Sequence, residues 1–232
     1  MKNTFNETVN SNNLMKEGCF MNKNTYNSFF NESHTTDKNL VEIGGRVVNK
    51  YIPNDKVAIL TVTSGEGMKV NAISVVCFEE KIEKVRTCVN VGDFVYINGN
   101  IQSSLRDNGR ITCSVFCDSI LAESELNHDF YGTFPNKNRM YISGEITDIK
   151  AYPKNNCCIF NIKTFVNGHL SIFPVVFYNE VLPELNIHDR VSVIGNVQSI
   201  KKTGADGATK HFENYVAFQI RKEKCTELEL SA

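Results

Sequence analysis

An all-β fold of two tandem five-stranded units is what this 232-residue sequence predicts, and three observations carry that reading. The first is a repeat about a hundred residues apart. Val95-Tyr96-Ile97-Asn98-Gly99-Asn100-Ile101-Gln102-Ser103 returns as Val191-Ser192-Val193-Ile194-Gly195-Asn196-Val197-Gln198-Ser199. The same spacing pairs Ile43-Gly44-Gly45-Arg46-Val47 with Ile142-Ser143-Gly144-Glu145-Ile146, Val75-Val76-Cys77-Phe78 with Val175-Val176-Phe177-Tyr178, and Pro53 with Pro153. A repeat of this length marks a duplicated domain, since solenoid units recur every 20 to 50 residues or so. The second observation is apolar alternation in short runs, the period of a half-buried strand. The third is turn chemistry between those runs.

In the first unit the strand runs are Leu40–Asn49, Val57–Thr63, Lys69–Phe78, Phe94–Ser103 and Arg110–Ile120. In the second they are Arg139–Ile149, Cys157–Phe165, His169–Tyr178, Arg190–Ile200 and His211–Ile220. Pro53-Asn54-Asp55, Ser64-Gly65-Glu66-Gly67 and Asp107-Asn108-Gly109 punctuate the first set; Pro153-Lys154-Asn155-Asn156, Asn167-Gly168 and Gly204-Ala205-Asp206-Gly207 punctuate the second. Glu79–Val89 and Asn179–Leu185, between strands three and four, read as a short helix or helical turn. Five strands with a helical piece after the third follow the order of the OB-fold barrel. The boundaries are a flexible Asn-rich arm over 1–38, OB units over 39–120 and 138–224, a linker over 121–137 and a short tail over 225–232. Within the arm, Phe20, Met21, Tyr26, Phe29 and Phe30 are more apolar than a spacer needs, so docking on a neighbouring subunit stands beside plain disorder.

Composition bounds the function. The formal net charge is −1, which argues against a protein coated in positive charge. Residues 39–120 hold nine basic and nine acidic side chains, and 138–224 hold eleven and eight, so the second unit is slightly the more basic. No apolar run approaches the ~18 residues of a membrane span, and no signal peptide is visible. The eight cysteines include Cys77, Cys113, Cys117, Cys157 and Cys158 inside apolar runs without paired CxxC spacing. Reduced, core-filling thiols in a cytoplasmic protein are therefore expected. Cys113 and Cys117 share a strand face, but no second ligand pair completes a zinc site. None of the common hydrolase, metalloprotease or phosphate-loop motifs occurs, and His34, His128, His169, His188 and His211 lack partnered carboxylate spacing. An enzyme is not expected, and neither are a cofactor, a metal or a small-molecule substrate.

The run Val75-Val76-Cys77-Phe78-Glu79-Glu80-Lys81-Ile82-Glu83, followed by Val91-Gly92-Asp93-Phe94-Val95-Tyr96-Ile97-Asn98-Gly99, resembles the core of bacterial single-stranded DNA-binding proteins. That family carries a Val-Val-x-Phe strand, a Lys-x-x-Glu helix and a Gly-x-x-Val-x-(Ile/Val)-x-Gly strand. The second unit keeps Val175-Val176-Phe177-Tyr178, Asp189-x-Val191-x-Val193-x-Gly195 and Gly144, but lacks the Lys-x-x-Glu piece. The resemblance covers 39–120 well and 138–220 less well. It implies base stacking on aromatics and a nucleoid- or replication-associated role. Because family members generally assemble four OB units, it also implies a homodimer. Two departures stand out. The chain ends Glu227-Leu228-Glu229-Leu230-Ser231-Ala232 where bacterial members close an acidic tail on Pro-Phe. It also has no tryptophan, with Ala72, Ile172, Arg106 and Lys202 near the family's tryptophan positions.

Single strands expose base faces and a charged backbone, so a binder without sequence choice needs aromatic platforms edged by cations. Period-two alternation turns Ile73, Val75 and Cys77 inward and Ala72, Ser74, Val76 and Phe78 outward; Phe173, Val175 and Phe177 likewise oppose Ile172, Pro174, Val176 and Tyr178. Phe78 and Tyr178 are thus the stacking candidates, against the plainer reading of rings filling the barrel or a domain interface. The first hairpin loops carry Lys50, Tyr51 and Lys56, then Lys150, Tyr152 and Lys154, a base-and-phosphate clamp at equivalent places or an ordinary solvated turn. The loop from Lys201 and Lys202 through Gly204 and Gly207 to Lys210, with its counterpart Arg106 to Arg110, offers further phosphate contacts. These features support a largely sequence-independent single-stranded DNA binder in replication, recombination or DNA transfer. A protein-interaction scaffold and a single-stranded RNA binder are the alternatives, the latter inseparable because stacking ignores the sugar except at its 2′-hydroxyl.

Overall fold

Alternation decides the strands. In β2 (Val57–Ser64) every second residue, Ala58, Leu60, Val62 and Ser64, is buried while its neighbours are partly open. The computed structural model describes residues 36–65, 70–105, 111–125, 137–179, 184–203 and 209–223. The remaining strands are β1 (Lys38–Asn54), β3 (Asn71–Phe78), β4 (Phe94–Leu105), β5 (Ile111–Ala122), β6 (Asn138–Tyr152), β7 (Cys157–Val166), β8 (His169–Tyr178), β9 (Arg190–Thr203) and β10 (Thr209–Lys222). The helix α1 (Glu80–Cys88) buries Ile82 and Val85, with Glu80 and Glu83 in its first turn and Arg86 in its last. That charge order suits the helix dipole.

Strand pairing runs β1–β2–β3–β5–β4 and returns to β1. The second set runs β6–β7–β8–β10–β9 and returns to β6. In each ring only the third and fifth strands are parallel, joined by two register pairs in the first (Val75↔Val115, Val76↔Phe116) and three in the second (Tyr215↔Val175, Val216↔Val176, Ala217↔Phe177). This is the connectivity of the OB fold, and the predicted fold class is observed. The rings are joined edge to edge through β1 and β6, antiparallel from Lys38↔Ser143 to Ile43↔Asn138. Of the second helical piece expected over 179–185, residues 180–183 lie outside the described residues, and Asn179 and 184–186 are irregular.

The repeat has two physical causes visible here. Gly99 and Gly195 leave no room for a side chain: a methyl at either would collide with the carbonyl of Phe116 or Val216 on the neighbouring strand. Asn39 and Asn138 form the same clamp in each half. The Asn39 amide donates to Ile101 O at 2.7 Å and accepts Ile101 N–H at 2.9 Å. Asn138 does the same with Val197, at 2.7 and 2.9 Å. Each satisfies buried backbone groups that lack a ladder partner.

Two expected boundaries shift. The boundary expected between 38 and 39 falls inside structure, because Lys38 already belongs to β1 and Asp37 is bound. Its carboxylate pairs with Arg190 at 2.6 Å and accepts the Phe165 N–H at 2.7 Å. At the other end, β5 reaches Ala122, and the short 3₁₀ turn Glu123–Glu125 is tied back to the barrel. Glu123 accepts the Phe94 N–H at 2.8 Å, and Glu125 accepts from Ala122 N–H and Lys84. Residues 126–136 of the linker, 1–35 of the arm and the whole tail over 225–232 lie outside the described residues.

Candidate nucleic-acid interface

On β3, Ile73, Val75 and Cys77 are fully buried, and on β8 Phe173, Val175 and Phe177 are buried. The opposite faces carry Phe78, 37% exposed, and Tyr178, 58% exposed. Both rings therefore occupy the expected outer face. Val176, expected outside, is buried instead, because Ile159 and Val216 flank it in register on the neighbouring strands.

Register then assembles a stripe that no single strand reveals. Across the first barrel Tyr51 pairs with Ile59, Ile59 with Val76, Val76 with Phe116, and Phe116 with Asn100. Paired residues share a sheet face, so a partly open, mostly apolar row crosses the barrel. Phe116 also stacks on Phe78, with ring centroids 5.5 Å apart and an interplanar angle of 18°. Phe116 is absent from the sequence-derived candidates. Its signal was the alternation of β5, where Val115 and Cys117 point inward and leave Phe116 outward.

In the second barrel the matching row is Lys150–Ile159–Val176–Val216–Asn196. Tyr152 pairs instead with Cys157, which pairs with Tyr178. Tyr51 and Tyr152 are exposed, at 56% and 44%, but they are not at equivalent places. The pairing sets Tyr51 level with Lys150, through Ile59 and Ile159, and Tyr152 falls two residues further along its strand; an extra residue in β1 between Tyr51 and Asn54, which β6 lacks, then separates the two hairpin tips. The loop lengths differ too, since Asn54 pairs with Val57 while Tyr152 pairs with Cys157 across the 3₁₀ turn Pro153–Asn155.

The lysines separate in the same way. Lys50 pairs with buried Leu60 and so points to the helix side. Its Nζ donates to Val89 O at 2.6 Å and Val85 O at 3.3 Å, closing the C-terminal end of α1. Lys50 and Tyr51 thus lie on opposite faces, and the clamp expected from Lys50, Tyr51 and Lys56 keeps only Tyr51 and the exposed turn residue Lys56. Lys150 shares the Ile159 face, with Asp148 at 3.5 Å. Lys154 is exposed in its 3₁₀ turn. The register places Lys202 opposite Lys210 and Lys201 opposite His211, at the mouth of the β9–β10 hairpin. Arg106, Arg110 and residues 204–208 lie outside the described residues.

Between the barrels lies a second unforeseen group. Glu213 on β10 reaches across to the first barrel and accepts the Ser74 N–H at 2.9 Å. Burial pushes its carboxyl up to about 7, against the opposing pull of backbone donors at Ser74 and Val115. Burial also pushes the nearby Cys113 thiol up to about 11, with the Glu213 charge adding to it. The Tyr215 hydroxyl, raised well above its ordinary value by burial, has no hydrogen-bond partner among the described residues. A protonated carboxyl suits such a dry position better than an ionised one.

Among solved structures this fold is shared with the single-stranded DNA-binding protein from Thermus aquaticus. The wild-type protein superposes at a TM-score of 0.56 with 14% identity, covering 82% of this chain and 95% of that one. A deletion variant gives 0.58 and 13%, covering 81% and 95%. At such identities the likeness establishes the fold alone. No family model and no curated protein matches the sequence.

Proposed function

We propose that this chain is a non-enzymatic, largely sequence-independent single-stranded DNA-binding protein. In this reading it holds strands that are transiently unpaired during replication, recombination or DNA transfer. The observation that carries the reading is the outer-face arrangement of rings: Tyr51, Phe78 and Phe116 on one barrel, Tyr152 and Tyr178 on the other. Every base has a π face, so such rings bind without sequence choice. Lys56, Lys150 and Lys154, with the lysines of the β9–β10 hairpin, would supply phosphate contacts. The shared OB fold supports the reading, and a homodimer would bring four barrels together.

Titration with labelled oligo-dT, oligo-rU and duplex DNA over a salt series tests it. Oligo-dT is expected to bind more tightly than duplex, with affinity falling as salt rises through counterion release. Equal affinity for duplex, or no binding at low salt, overturns the reading. Tighter binding of oligo-rU assigns the strand to RNA instead.

A further inference from the structure

Cys77 and Cys117 lie on the inner faces of neighbouring parallel strands, both buried and both free. The β3–β5 ladder pairs Val75 with Val115 and Val76 with Phe116, then stops. The next position along it would be Cys77 opposite Cys117. In the second barrel the equivalent residues, Phe177 and Ala217, do form a third register pair. The barrel with the shorter closure is therefore the one that carries two thiols at the missing pair. A hydrogen bond between the two thiols holds Cys77 below its ordinary value, against burial and with a smaller pull from the Lys81 charge, while the same bond and burial raise Cys117. Neighbouring strands are about 4.8 Å apart, inside the roughly 4.4–6.8 Å between Cα atoms that a disulfide bridges.

We propose that Cys77 and Cys117 are a redox modification site that hydrogen peroxide converts into a reversible disulfide closing β3 onto β5. The balance is simple. Peroxide oxidises one sulfur to a sulfenic acid and leaves as water. The second sulfur then displaces the hydroxyl, which departs as a second water as the S–S bond forms. Two thiols and one peroxide give one disulfide and two waters. Thiol–disulfide exchange with an added dithiol restores the reduced pair. The bond would form directly beneath the ring pair, since Phe78 follows Cys77 and Phe116 precedes Cys117 on the opposite face. It would pin the backbone of both rings. Nothing in this inference depends on what ligand the rings hold.

The test uses the full chain, reduced and then treated with hydrogen peroxide. Unreduced peptide mapping is expected to yield one cross-linked species joining Cys77 to Cys117, with a loss of about 2 Da that dithiothreitol reverses. Cys77→Ala and Cys117→Ala are each expected to abolish it. Mapping of the wild-type chain decides the matter even if a variant does not fold. If both thiols remain alkylatable after oxidation and unfolding, if they carry only added oxygen, or if either is found joined to exposed Cys88, the assignment fails.

Discussion

Phe78 and Tyr178 end matching strands but are differently supported. Phe78 leans on Phe116, whereas Tyr178 is the more open ring. Emptying a core position by Phe→Ala costs about 3–5 kcal/mol, while a base–aromatic stack is worth about 1–3 kcal/mol. Phe78→Ala and Tyr178→Ala are therefore expected to lower single-strand affinity about 5- to 150-fold each with far less loss of stability than a core truncation. Melting and binding measured on the same variants check this. With no tryptophan in the chain, these rings carry more of the stacking. Asn39 and Asn138 belong to the opposite class. Asn39→Ala or Asn138→Ala strands a buried N–H and C=O and is expected to cost about 1–3 kcal/mol, read as a lower denaturant midpoint.

At the level of elements, the first hairpin of each barrel sets which cation meets solvent. Lys50 is held by the last carbonyls of α1, so Lys50→Ala should weaken the helix end by about 0.3–1 kcal/mol and leave the salt dependence of binding unchanged. Lys150 lies on the outer face with only a long contact to Asp148. Lys150→Ala is expected to lower the slope of log affinity against log salt by about 0.7, the value for one phosphate on a single strand. The two slopes, measured side by side, separate a structural lysine from a contacting one.

For the whole molecule, Glu213 couples the barrels and makes their union depend on pH. Its folded value, about 7, is above that of an ordinary carboxyl. The folded state therefore binds more protons than the unfolded chain between the two values, and stability falls as pH rises between them. The contribution is complete below about pH 4.5 and lost through about 7, amounting to about 3 kcal/mol at most. Glu145 and Asp189 act in the opposite sense. Hydrogen bonds from Lys163 and from Lys222 respectively, each the leading cause, hold them low, so their contribution is lost as pH falls. The difference between wild type and Glu213→Gln isolates the effect: the wild-type melting temperature should decline relative to the variant from pH 4.5 to 7 and run parallel above it.

By itself the sequence determined the strands, their order, the duplication and the inward set Ile73, Val75, Cys77 and Phe173, Val175, Phe177. All of these rest on period-two alternation and turn chemistry, which act within a few residues. Phe78, Tyr178, Tyr51 and Tyr152 were legible as exposed rings for the same reason. Register was not legible, because one extra residue in a hairpin changes which side chains become neighbours without disturbing alternation on either strand. The pairing put Tyr51 level with Lys150 and so out of line with Tyr152. Barrel closure brought Phe116 beside Phe78, and α1 claimed Lys50 for its own end. Joining the halves through β1 and β6 is what places Glu213 against Ser74, 139 residues away in the chain. Such contacts arise between strands distant in sequence, so only the tertiary structure decided them.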